Sequence, residues 1–350
     1  MAFPTKSRFN KPKQSAAGSR LYFLLLAAPV IAMCLGLAWG RYPVEITDIL
    51  RILGSKLGFP VNDVSSGVLE TVVLKVRLPR ILAAMLIGGG LSVSGAAFQG
   101  LFRNPLVSPY ILGVASGAGF GAALGIVIWN QPVMIQGCAF LFGITAVAAA
   151  WLMSRVYKSS GTMIIVLGGV IVGAFFQSLL SLVKYMADPD DKLPVIVYWL
   201  MGSLASISMK DLYTILLPML ISIVFLLLVR WRLNVLSFGD EEARTLGVEA
   251  GRLRVSVILG VTVITASAVS VSGIIGWVGL VVPHLARMLV GPDYMKLIPT
   301  SLALGACYLV FIDGLARNIS AAEIPLGILT ATVGAPFFAW LLARGKTGWA

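Results

Sequence analysis

The 350-residue chain is 58% hydrophobic and only 12% charged, with a mean hydropathy of +0.92, which leaves too little polar surface to cover a water-soluble domain. Lipid must be its solvent, and the long continuous apolar runs exclude the short alternating segments of a membrane β-barrel. The formal charge of +12 does not point to nucleic acid, because no Lys/Arg block carries interleaved aromatic residues.

A helix needs about 20 apolar residues to cross a hydrocarbon core of roughly 30 Å. Runs of this kind lie at 21–40, 81–102, 111–129, 133–154, 162–186, 212–229, 255–272, 275–290, 298–316 and 326–343. They predict an all-α polytopic membrane protein with about ten transmembrane helices, forming one transmembrane domain over residues 1–350. The tail 1–20 is basic, carrying Lys6, Arg8, Lys11, Lys13 and Arg20. The run after it has full span length and no clean small-x-small exit, so an uncleaved first helix is expected.

Between the first two runs, residues 41–80 form a segment of mixed charge with room for a surface helix. At its end stand Arg77 and Arg80 in RLPR, and Arg317 follows the ninth run in DGLARN. Snorkelling to the interface explains each arginine singly, whereas the three together also suit the carboxylates of a docking protein. Asp313 lies four residues before Arg317, a spacing that pairs the two within one helix.

Glycines cluster inside the second and third runs, at Gly88, Gly89, Gly90, Gly95 and at Gly117, Gly119, Gly121, Gly125. In lipid, small residues of this kind let helix backbones approach closely. Lys184 ends the fifth run and reads as a snorkelling cation. Asp188, Asp190 and Asp191 follow it; without a second carboxylate cluster or a nearby histidine they read as solvated loop charge rather than a metal or diphosphate site. Residues 193–205 open after a proline step and are too short to span, which predicts an extra helix near the membrane surface.

The loop 231–254, WRLNVLSFGDEEARTLGVEAGRLR, is the most informative segment. Asp240, Glu241 and Glu242 suit a helix N-terminus and Gly247 a C-terminal stop. A helix of about eight residues is marginal alone and needs a surface to dock on. Its own membrane domain and an external partner are equally compatible with the capping signals.

Ten spans place both ends of the chain on one side. That side collects 17 Lys/Arg against five Asp/Glu, and the opposite side ten against ten, so the whole excess of charge falls on the face holding the termini, which the positive-inside rule makes cytoplasmic. Cys34, Cys138 and Cys307 sit in apolar runs without paired spacing, and His284 is the sole histidine, so a zinc, haem or disulfide framework is not expected. Ionisable residues are scarce at mid-span. Ion-coupled carriers use such residues to bind the coupling ion, so the energy source is expected outside this chain.

Four segments together resemble one family: RLPRILAAMLIGGGLSVSGAAFQGLFRNPLVSPYILGVASGAG at 77–119, LNVLSFGDEEARTLGV at 233–248, GLVVPHLARMLVGPD at 279–293 and AAEIPLGILTATVGAPFFAWLL at 321–342. In order and spacing they are similar to the permeases of iron-siderophore, haem and cobalamin ABC importers, over most of the chain from about residue 70. The resemblance implies the type II ABC importer permease fold and a non-enzymatic transport subunit in a bacterial inner membrane. It also implies a second permease, identical or closely related, and two cytoplasmic ATPases that bind ATP and Mg, with no cofactor in this chain. A periplasmic or lipid-anchored binding protein would deliver the cargo, most simply a ferric siderophore, with haem, cobalamin or molybdate as alternatives.

The resemblance also assigns residues. Leu236, Gly239, Asp240, Glu241, Glu242, Arg244, Leu246 and Gly247 would form the coupling segment seated in an ATPase cleft. Arg77, Arg80 and Arg317 would meet acidic residues of the binding protein, and Ser159, Ser160 and Thr162 would belong to the cytoplasmic gate.

Overall fold

The computed structural model describes residues 16–56, 58, 67–156 and 162–343. Among the described residues every regular element is a helix. The basic tail through residue 15, Lys158, Ser159, Ser160, Arg344 and Lys346 lie outside them.

The helices in chain order are α1 (Ala16–Ala38), α2 (Ile46–Lys56), α3 (Gly67–Thr71), a π-helical segment (Val72–Arg77), α4 (Leu78–Leu101), α5 (Val114–Ile128), α6 (Pro132–Val156), α7 (Thr162–Met186) and α8 (Lys192–Leu200). Then follow α9 (Met209–Ser237), α10 (Asp240–Thr245), α11 (Ala250–Ser272), α12 (Val278–Val290), α13 (Tyr294–Asn318) and α14 (Leu326–Ala343). Each of the ten apolar runs has its helix. Six are long and apolar enough to cross a membrane, the first of these being the continuous stretch Gly67–Leu101. The runs forming α1, α5, α12 and α14 give shorter apolar helices.

The segments 41–80 and 193–205, where extra helices were expected, hold α2 and most of α8. The loop expected at 231–254 is shorter, because α9 continues to Ser237 and α11 begins at Ala250. The hydropathy window also starts the second span too late. Glu70, Lys75, Arg77 and Arg80 lower the local average, yet the backbone remains helical because the arginines find internal partners.

Local signals explain the sharper boundaries. Ser208 and Asp211 form a reciprocal capping box at the start of α9. Asp293 caps α13 by accepting from the Met295 N–H at 2.9 Å.

α4 is the central helix. It is buried along nearly its whole length and packs on α1, α9, α11, α12 and α13. Glycine makes this possible: a Cβ on Gly95 would run into the backbone carbonyl of Gly279, and one on Gly88 into that of Gly305. A second group, α5, α6 and α7, packs mutually around Phe120, Phe142 and Phe176. Its α6 joins the first group through α11.

Short helices are possible because irregular backbone is enclosed by protein. The Ser203 N–H donates to the Ser272 carbonyl at 2.8 Å, Leu326 to Gly202 at 2.8 Å and Gly327 to Met201 at 3.0 Å. Non-helical segments at membrane depth are tolerated when they satisfy one another in this way. Gly273 turns here with φ of 67°, where a side chain would also strike the Trp199 carbonyl.

Candidate functional site

Two regions at opposite ends of the bundle concentrate the charged side chains that sequence reasoning singled out. The first surrounds α10. The chain leaves α9 through Gly239, whose φ of 134° is a conformation that side chains rarely adopt. Asp240, Glu241 and Glu242 occupy the first turn, complementing the helix dipole. Gly247, with φ of 76°, closes the helix: its N–H reaches the Arg244 carbonyl at 3.0 Å, and the Val248 N–H reaches Ala243 at 2.8 Å. These two bonds are a Schellman stop.

Ala243 and Val248 are buried beneath α10 and hold it to the bundle. The outward face carries Phe238 at 73% exposure and Leu246 at 57%, alongside exposed Glu241, Glu242 and Arg244. One side of the loop therefore packs on the membrane domain, and the other is left exposed. Leu236 and Gly239 are buried, so these two expected coupling residues support the segment from behind.

Asp240 is the electrostatic anchor. Its carboxylate lies 2.6 Å from the Arg254 guanidinium at the start of α11 and 3.8 Å from Arg103 just beyond α4. Nearby, the Asn234 amide of α9 donates to Asp293 at 2.6 Å, and its oxygen accepts from the Tyr294 N–H at 2.8 Å. The ends of α4, α9, α11 and the beginning of α13 thus meet in one polar frame around α10. The pairing of Arg103 and Arg254 with Asp240 spans distances along the chain that no local pattern reports.

The second region lies at the other end of α4 and α13. Arg80 donates to Asp313 at 2.8 Å and to one Glu323 oxygen at 3.0 Å, with the other Glu323 oxygen 2.9 Å away as an ion-pair contact. Arg317 forms an ion pair with Asp313 at 3.1 Å, as the four-residue spacing predicts. Arg77 donates to the carbonyls of Leu37 at 2.6 Å and Tyr42 at 2.5 Å. Arg41, not singled out beforehand, donates to the carbonyls of Arg317 at 2.7 Å and Ala321 at 2.8 Å, and to that of Ser320.

All three expected docking arginines are buried, at 4%, 5% and 7% exposure for Arg77, Arg80 and Arg317. Their guanidinium groups are engaged with acceptors of this chain and do not snorkel. They tie α1, α4, α13 and the 319–325 turn into one block. Glu323 belongs to the set through contact alone.

Of the expected gate residues, Thr162 begins α7, while Ser159 and Ser160 lie outside the described residues. Further along α7, Gln177, Ser178 and Ser181 are exposed on a membrane-crossing helix. Asp188 accepts from the backbone N–H groups of Asp190 and Asp191, both at 2.9 Å. The Asp191 and Asp190 amides hold its carboxyl below the usual range. The acidic trio is therefore a turn leading into α8, and among the described residues no group of His, Cys, Asp or Glu gathers to hold a metal.

A model of the FecCD transport family matches residues 26–344. The molybdate import system permease protein MolB of Haemophilus influenzae is 41% identical over 329 residues, covering 94% of this chain and 97% of that protein. A "Probable iron chelatin transport system permease protein" of Helicobacter pylori strain 26695 is 39% identical, covering 93% and 99% respectively. A solved structure described as "An inward-facing conformation of a putative metal-chelate type ABC transporter" superposes with a TM-score of 0.82 at 40% identity, covering 93% of this chain and 99% of that one.

Proposed function

This chain belongs to the FecCD transport family as a permease subunit of an ABC importer, and we propose that α10 is the seat of its ATPase, that the α10 face is cytoplasmic and that its cargo is a metal chelate. The observation that carries the first point is the two-sidedness of α10. A six-residue helix rooted through Ala243 and Asp240 presents Phe238, Leu246 and charged groups outward. A membrane-facing surface would not combine exposed Glu241, Glu242 and Arg244. The excess of basic residues on this side supports its cytoplasmic placement.

ATP binding would draw the two partner ATPases together and move α10. Because Asp240 grips Arg254 and Arg103, that displacement would reach α11 and α4, the helix at the centre of the bundle. Alternating access then follows as a shift between two packed arrangements. The exposed Gln177 side-chain amide on α7 suits a path between two permease copies, since lipid offers it no hydrogen bonds, whereas the Ser178 and Ser181 hydroxyls bond carbonyls of their own helix.

At the opposite end a substrate-binding protein would dock on the rim that Arg41, Arg77, Arg80 and Arg317 brace. In this arrangement the arginines fix the shape of the rim, and direct pairing with a partner's carboxylates would require them to exchange the acceptors they hold. For the cargo, the relative named for iron chelatin and the metal-chelate type structure support a ferric siderophore. Molybdate stands as the second reading because a molybdate permease is 41% identical.

The test is reconstitution in lipid discs with candidate ATPase and binding protein, titrating ferric siderophore against molybdate. Cargo-stimulated ATP hydrolysis by one and not the other identifies the cargo. Concentrative uptake by the isolated chain, driven by an ion gradient, would overturn the whole reading.

A further inference from the structure

A groove runs between α6 and α11 from the α10 face toward mid-span. Its wide end is a cavity of about 670 Å³ edged by Ser154, Arg155 and Arg252. It continues into an apolar section of about 260 Å³ that ends at Ile144 and Thr262. Trp151, Val255, Ile258 and Leu259 line both parts. At 1.5 Å per helical residue, Ile144 to Arg155 on one wall and Gly251 to Thr262 on the other extend roughly 16 Å, about half of a ~30 Å hydrocarbon core. The groove is therefore one leaflet deep.

Its polarity is that of an amphiphile in reverse. The Arg155 guanidinium lies over the Trp151 ring, 4.1 Å from its centroid, and among the described residues no carboxylate pairs with it. Arg252 is exposed on the first turn of α11, with Glu249 at 2.9 Å as a solvent-exposed partner that a stronger anion can displace. Arg254, also at this end, is already committed to Asp240. Below these cations the walls are apolar, and Leu259 is 60% exposed into the opening.

We propose that this groove seats an anionic phospholipid of the leaflet on the α10 side, with its phosphate at the Arg155 and Arg252 end and an acyl chain along Trp151, Ile258 and Leu259. Charge selects the headgroup and depth selects a single lipid chain rather than a spanning helix. Basic pockets between transmembrane helices hold anionic headgroups in this manner. The site lies to one side of α10 and does not depend on the transport reading, so lipid retention and transport can fail separately.

The test is native mass spectrometry of the full-length protein in mild detergent after equilibration with equimolar phosphatidylglycerol and phosphatidylcholine. Phosphatidylglycerol should be retained over phosphatidylcholine by about fivefold or more, the selectivity expected of one arginine at a membrane surface. Arg155→Glu should abolish the headgroup preference. Leu259→Trp, which fills the opening without changing charge, should lower retention of both lipids. Equal retention by the wild-type protein, or unchanged retention in both variants, would overturn the proposal. So would copy-to-copy disulfide formation by Leu259→Cys in a background with the three native cysteines replaced by serine, because a second chain would then occupy the groove.

Discussion

The carboxylate of Asp240 lies 2.6 Å from the guanidinium of Arg254, joining the first residue of the short helix α10 to the first turns of α11. The Arg254 side chain is only 10% exposed, whereas Asp240 is 43% exposed. A largely buried cation thus depends on an acid carried by a short, partly exposed helix.

Asp240→Asn should lower the cargo moved per ATP hydrolysed by roughly tenfold, since a hydrogen bond to a charged group contributes about 1.5–3 kcal/mol. The exchange Asp240→Arg with Arg254→Asp should restore part of that coupling. Uptake and hydrolysis measured side by side in proteoliposomes with the partner ATPase decide the matter; an unchanged ratio in Asp240→Asn would remove this pair from the transmission route.

Reversing both Glu241 and Glu242 to lysine should act differently. These side chains project outward, so the thermal unfolding midpoint should hold steady while co-purification of the ATPase falls severalfold. A fall in thermal stability with intact ATPase binding would place the two glutamates in the internal packing instead.

Asp313→Ala should be among the most damaging single changes. The residue is fully buried, and its loss leaves Arg80 and Arg317 without their shared carboxylate, at a cost of about 3–5 kcal/mol. Arg77→Glu with Arg80→Glu should likewise lower the unfolding midpoint before it alters any docking. Thermal unfolding in detergent measures both, and a midpoint as high as wild type would show that these arginines are free to serve a partner.

Gly95→Ala should separate α4 from α12. The added methyl group must displace the backbone at Gly279, and forced overpacking of this kind costs about 1–3 kcal/mol. The same substitution at Gly251, where nothing lies within 4 Å of the added carbon, should be tolerated, so paired melting curves provide an internal control.

Much of this architecture was legible from the chain alone. Ten apolar runs became ten helices, the acidic triplet opened α10 and Gly247 closed it, because hydropathy, capping and positive φ are decided within a few residues. The four-residue step from Asp313 to Arg317 is legible for the same reason. Arg77 and Arg80 show where this kind of reading stops. In sequence they resemble cations at a membrane border, yet their environment is supplied by Leu37, Tyr42, Asp313 and Glu323, residues up to 243 positions away.

The sequence by itself determined the solvent, the ten apolar helices and the capped short helix between α9 and α11, since each follows from the local free energy of placing side chains in lipid or water. Only the tertiary structure decided which charges are buried, which carboxylate each arginine holds, how closely α4 meets its neighbours and where a groove opens between α6 and α11. Those outcomes depend on contacts between helices brought together by packing, and a buried charge is stable only beside a partner that the fold, rather than the adjacent chain, provides.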